Sequence, residues 1–141
     1  MANSGSCLCG NLTYTYEAEP ALKALCHCSE CRKLSGGAFT YTYLLPASKF
    51  DLKSSSVPPK SHAKKHETGM MLTRYFCPEC STVIYKESDA PDFKGMVILF
   101  AGTLDVKEDQ VPKPDVEFFV SQKIPWVHGV GAGVKELQQF T

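Results

Sequence analysis

Seven cysteines in a chain of 141 residues fall into three short motifs: Cys7-Leu8-Cys9, Cys26-His27-Cys28-Ser29-Glu30-Cys31 and Cys77-Pro78-Glu79-Cys80. None stands outside a motif. Disulfide pairing would leave one thiol over, whereas clustered cysteines in a reducing compartment bind metal. The pattern therefore predicts a reduced, intracellular metal protein. Cys77-Pro78-Glu79-Cys80 has zinc-knuckle spacing. Two intervening residues, one a proline that fixes the turn, let both sulfurs face one ion at about 2.3 Å. A closed structural zinc takes four ligands, and Cys7 with Cys9 completes that set most economically.

Cys26, Cys28 and Cys31 remain together. Three thiolates cap one face of a zinc ion and leave a fourth position for water or substrate, which is the arrangement of catalytic zinc. Their negative charge weakens the Lewis acidity of the metal. That favours activating a soft sulfur or a reactive aldehyde adduct over hydrolysing an amide. Two other readings stay open. A histidine (His27, His62, His66 or His128) could close the second site and make it structural, or Cys77 and Cys80 could exchange as a redox dithiol, although the βαβ context of such a dithiol is missing. His27 reads as a spacer or a donor behind the ligands rather than as a base.

The length suits one domain, and 43% hydrophobic with 21% charged residues is a soluble globular profile. Lysine plus arginine and aspartate plus glutamate are both 15, which argues against a nucleic-acid partner. The opening MANSGSCLCG has no secretory pattern, and the most apolar run, Met96 to Ala101, is too short to span a bilayer. The expected location is cytoplasmic or nuclear, with no membrane partner.

Leu12 to Glu17, Phe39 to Leu45, Met71 to Phe76, Val83 to Lys86, Met96 to Ala101 and Val116 to Val120 alternate in the manner of strands rich in threonine, tyrosine, valine and phenylalanine. Helical turns are expected only at Ser29 to Leu34 and Val134 to Gln139. Ser54 to Ser61 reads as a loop, and Asp89 to Gly95 and Gln110 to Pro114 as turns. The fold class is mainly β.

The ordered motifs Gly5-Ser6-Cys7-Leu8-Cys9-Gly10, Cys26-His27-Cys28-Ser29-Glu30-Cys31-Arg32-Lys33 leading to Gly36-Gly37-Ala38-Phe39, Arg74-Tyr75-Phe76-Cys77-Pro78-Glu79-Cys80, and Phe118-Phe119-Val120 before Lys123-Ile124-Pro125-Trp126 resemble the glutathione-dependent formaldehyde-activating enzymes. That family includes centromere protein V. The resemblance runs from about residue 5 to 126 within a single domain of residues 1–141. It implies a small β fold with a zinc-ribbon element, like the Rab-binding mammalian suppressor of yeast Sec mutations. It implies two Zn2+ ions, a structural one on Cys7, Cys9, Cys77 and Cys80 and a catalytic one on Cys26, Cys28 and Cys31. The implied activity is that of a carbon–sulfur lyase joining glutathione, as co-substrate, to formaldehyde. The chain departs from many members after Cys80, where Ser81-Thr82 stand in place of glycine, which puts the local loop in question but not the ligands.

Arg32, Lys33 and Arg74 flank the motifs and are candidates to hold the carboxylates of a glutathione-like substrate; the plain alternative is solvated surface charge. Gly36 and Gly37 admit a close substrate or form a plain turn. Lys49 to His66 carries five lysines against Asp51 and lacks a stacking platform, so a solvated loop is expected there. Trp126 is expected in the core, at its rim or walling a pocket. The leading reading is a zinc enzyme acting on a small thiol–aldehyde adduct. Its rivals are a non-catalytic zinc interaction module and a zinc enzyme acting on an imine or quinone methide. The substrate, the fourth ligand, the proton carrier and the oligomeric state are not encoded in any motif.

Overall fold

The computed structural model describes residues 3–141. In chain order the strands are β1 (Asn3–Ser6), β2 (Leu12–Tyr16), β3 (Leu22–Cys26), β4 (Thr40–Pro46), β5 (Phe50–Ser54), β6 (Lys60–Lys65), β7 (Met71–Phe76), β8 (Val83–Ser88), β9 (Met96–Phe100), β10 (Val116–Phe118) and β11 (Lys135–Glu136). A single α-helix among the described residues, α1 (Ser29–Ser35), lies between β3 and β4. β1, β2 and β5 form one antiparallel sheet, and the other strands form an eight-stranded sheet in the order β11-β10-β3-β4-β9-β8-β7-β6. β10 runs parallel to both its neighbours, β3 and β11. The fold is mainly β, as expected, and among the described residues no helix is long and apolar enough to cross a membrane.

Period-two alternation builds the sheets. In β2, Leu12, Tyr14 and Tyr16 are buried while Thr13 and Thr15 face solvent. These join Tyr43, Leu45, Ile84, Val97 and Leu99 in a first core that also holds Cys7 and Cys77. A second core gathers Ala24, Val116, Phe118 and Phe119 with Cys26, Cys28 and Cys31. Each cysteine group is thus rooted in its own hydrophobic cluster. β1 is polar and was not anticipated. Its Gly5 is required by close approach, because a Cβ there would lie 2.1 Å from the Tyr14 hydroxyl oxygen.

Four local expectations are corrected. Val134 to Gln139 is not helical: the Lys135 and Leu137 amides donate to the Asp115 and Glu117 carbonyls at 3.0 and 2.9 Å, so the open edge of β10 captures this stretch as β11. Lys49 to His66 is largely strand rather than solvated loop. Phe50 and Leu52 of β5 pack on the first core, and β6 is a fully exposed edge whose lysines suit an unpaired strand. Trp126 is 71% exposed and belongs to neither core. The strand expected over Val116 to Val120 stops at Phe118, because Phe119 takes a left-handed conformation, φ 57° and ψ 47°.

Candidate metal centres

The first group brings Cys7, Cys9, Cys77 and Cys80 together with all four sulfurs within 4.8 Å of one another. Tetrahedral zinc–thiolate bonds of about 2.3 Å require sulfur–sulfur edges of about 3.8 Å. Cys7 to Cys9 is 3.6 Å and Cys9 to Cys77 is 3.8 Å. Donors also aim at the sulfurs. The Leu12 amide lies 3.2 Å from Cys7, and the Asn11 side-chain amide lies 3.6 Å from Cys77. A hydrogen bond with the Thr82 hydroxyl pulls Cys80 down to about 5. Such donors stabilise thiolates, the form a metal needs. The site fits a closed structural zinc.

The knuckle turn runs through Ser81, whose amide donates to the Cys77 carbonyl at 2.8 Å and whose φ is 67°. This is the left-handed conformation in which glycine is favoured. The serine noted in the sequence therefore sits at the position where its Cβ is least welcome.

The second group is Cys26 at the end of β3, Cys28 as the N-cap of α1, and Cys31 within the helix. Their sulfurs also lie within 4.8 Å of one another, and all three residues are buried. The Cys31 amide donates to the Cys28 sulfur at 3.4 Å. Hydrogen bonds from Cys26 and then Cys28 pull the Cys31 thiol down to about 2, while the same contacts push Cys26 up. Crowding thus favours one thiolate, on Cys31, and keeps the protons on Cys26 and Cys28, whereas a divalent cation would let all three sulfurs ionise. The donor set fits a zinc ion with three protein ligands.

This cluster floors a cavity of about 210 Å³ walled by Lys33, Lys64, His66, Arg74 and Lys86. Lys33 and Arg74 of the three expected cations face it. Arg32 is placed differently: its guanidinium donates to the Gln122 carbonyl at 2.5 Å and braces the helix against the turn after Phe119. Gln122 also accepts from the Ser29 amide at 2.8 Å. Sequence reasoning missed Lys86, whose ammonium lies 3.8 Å from the Cys31 sulfur. Only strand pairing reveals it, because Lys86 is the register partner of Arg74.

His66 is 3% exposed at the end of the β6–β7 hairpin, its ring flanked by Phe119 and Phe140 at 5.5 and 5.7 Å. Its Nδ1 accepts from the Thr68 amide at 3.2 Å, so the ring proton belongs on Nε2. Nε2 lies 3.6 Å from the Glu30 carboxylate. Burial lowers the pKa of His66 below its usual value. His27 faces away from the cysteines' cavity, with Nε2 2.9 Å from Glu117, and it fits the reading of a support behind the ligand loop. Its Nδ1 finds no hydrogen-bond partner among the described residues.

A family model described as glutathione-dependent formaldehyde-activating enzyme matches residues 2–122. No curated protein matches the sequence. A crystal structure of a Rhodobacter sphaeroides protein is similar in fold, with a TM-score of 0.60 at 16% identity, covering 79% of this chain and 96% of that one.

Proposed function

The chain belongs to the glutathione-dependent formaldehyde-activating enzyme family, and on that premise we propose that it is a zinc-dependent carbon–sulfur lyase-type enzyme that makes or breaks a thiol–aldehyde adduct. The observation that carries this reading is the juxtaposition of three buried thiols with a cavity wall of Lys33, Lys64, Arg74 and Lys86. Zinc bound to Cys26, Cys28 and Cys31 would supply a Lewis acid able to acidify a thiol or polarise a carbonyl. The residues around it do the rest.

Lys33 and Arg74 are suited to hold the carboxylates of a glutathione-like thiol and orient its sulfur toward the cysteine floor. In the forward direction the sulfur lone pair forms the C–S bond and the carbonyl π pair moves onto oxygen. The proton that leaves sulfur must end on that oxygen. His66 is suited to steady that oxygen: with Nδ1 accepting from Thr68, the neutral ring's Nε2–H donates a hydrogen bond to it. The Glu30 carboxylate, which lines the same cavity 3.6 Å from Nε2, is suited to take the thiol proton and return it to the oxygen. Lys86 adds positive charge where oxygen becomes negative.

The test is metal analysis coupled to titration with glutathione. Two zinc ions per chain, and saturable glutathione binding that is lost in Cys28→Ser, are expected. One zinc ion and no thiol binding would replace the enzyme with an interaction module.

A further inference from the structure

A second chamber, of about 40 Å³, adjoins the cavity above the cysteines. Leu22, Leu44, Phe93, Ile98 and Phe118 line it, and it meets the first cavity at Cys26, Leu72, Lys86 and Phe140, which wall both. Its origin is a row of register partners across the large sheet. Arg74 pairs with Lys86, Lys86 with Ile98, Ile98 with Leu44, and Leu44 with Leu22. Directly opposed residues share a face of the sheet. One row therefore passes from cations to aliphatic side chains, and the change falls beside the Cys26 sulfur.

Phe140 closes this chamber. Its ring meets Phe118 at 5.0 Å, Phe119 at 4.9 Å and Phe93 at 5.9 Å, each nearly edge-on. The tail is pinned there by the Phe119 amide, which donates to the Gln139 carbonyl at 3.4 Å. Phe140 lies beyond residues 2–122, the span matched by the family model.

We propose that the chamber binds an apolar alkyl substituent carried next to the ligand sulfur, making the site suited to adducts of short aliphatic aldehydes. This rests on the reading that the neighbouring cavity binds a thiol. A carbon derived from formaldehyde bears only hydrogen and would leave the chamber unused. A cavity of about 150 Å³ accepts benzene, so one of about 40 Å³ suits a substituent of roughly one to two carbons. Its walls offer little to a charged or strongly polar substituent.

Calorimetric titration of the zinc-loaded protein with two ligand series tests this. One series is S-methyl-, S-ethyl-, S-propyl- and S-hexylglutathione; the other is the n-alkanethiols of the same lengths. Affinity should rise about fourfold per methylene from methyl to propyl in both series. It should fall again at hexyl, and the rise should vanish in Leu44→Trp, which fills the chamber. Phe140→Ala, an independent variant, should remove the penalty at hexyl. A rise among the alkanethiols without glutathione binding would support the chamber and overturn glutathione as the co-substrate. Glutathione derivatives that bind equally at all lengths would overturn the chamber and leave the co-substrate standing. Failure of both series to bind, or a rise unchanged by both variants, would also overturn it.

Discussion

The His27 ring lies 2.9 Å from the Glu117 carboxylate, with the two side chains 0% and 1% exposed, and so ties the loop between two cysteine ligands to β10. Lys123 approaches the same carboxylate at 3.0 Å. Burial alone would raise the Glu117 pKa, but hydrogen bonds from Lys123 and His27 hold it below the usual 4.5. A carboxylate with a depressed folded-state pKa stabilises the protein above its unfolded pKa and loses that contribution as pH falls through the folded value. Glu117→Gln should therefore destabilise by about 3 kcal/mol at pH 7. The gap to the unaltered protein should close as pH drops below 4.5. Chemical denaturation of both proteins across that range measures it.

The two cysteine groups should fail differently. Cys77→Ser removes a ligand embedded in the first core, so loss of one zinc should come with loss of cooperative unfolding. Cys28→Ser should also lose one zinc but keep the far-ultraviolet circular dichroism and the first-core tyrosine signals, while turnover is abolished. Metal analysis of each purified variant, read beside its thermal melt, separates these outcomes.

Ser81 occupies left-handed backbone inside the knuckle. That conformation costs a non-glycine residue about 1–2 kcal/mol, and the extra unfolded-state freedom of glycine offsets part of the gain. Ser81→Gly should raise stability by about 0.5 kcal/mol, and Ser81→Val should lower it by more than that. Paired denaturant melts at saturating zinc decide the sign.

For the hydrogen bond to the developing oxyanion, His66→Leu should lower kcat about a hundredfold while KM changes little. Lys86→Met should act on kcat too, whereas Glu30→Gln should remove the acidic limb of the pH–rate profile. An unchanged kcat in His66→Leu would remove His66 from the mechanism.

Within each motif the cysteines were legible as partners because they lie close in sequence. The meeting of Cys9 with Cys77, 68 positions apart, was inferred from ligand count and is brought about by the fold. α1 was likewise legible from local sequence, beginning beside Cys28 and ending at Gly36. His66 was named only as one of four histidines that could close the second site, and Lys86 and Phe140 were not legible, because they reach the cavity through pairing of distant strands and the capture of a tail. The β6 strand was hidden by its composition. Five of its six residues are polar, and it is held by β7 rather than by burial. Trp126 shows the opposite error, a large apolar side chain that the fold leaves in water.

The edge formed by β6 has a consequence for how copies of this chain meet. A foreign strand approaching it would face Lys60, Lys64 and Lys65, and the opposite edge of the sheet, β11, offers only two residues. Lateral growth of the sheet from one molecule to the next is blocked by charge on one side and by brevity on the other. The native protein should stay dispersed at high concentration, and aggregation on heating should wait for the first core to open.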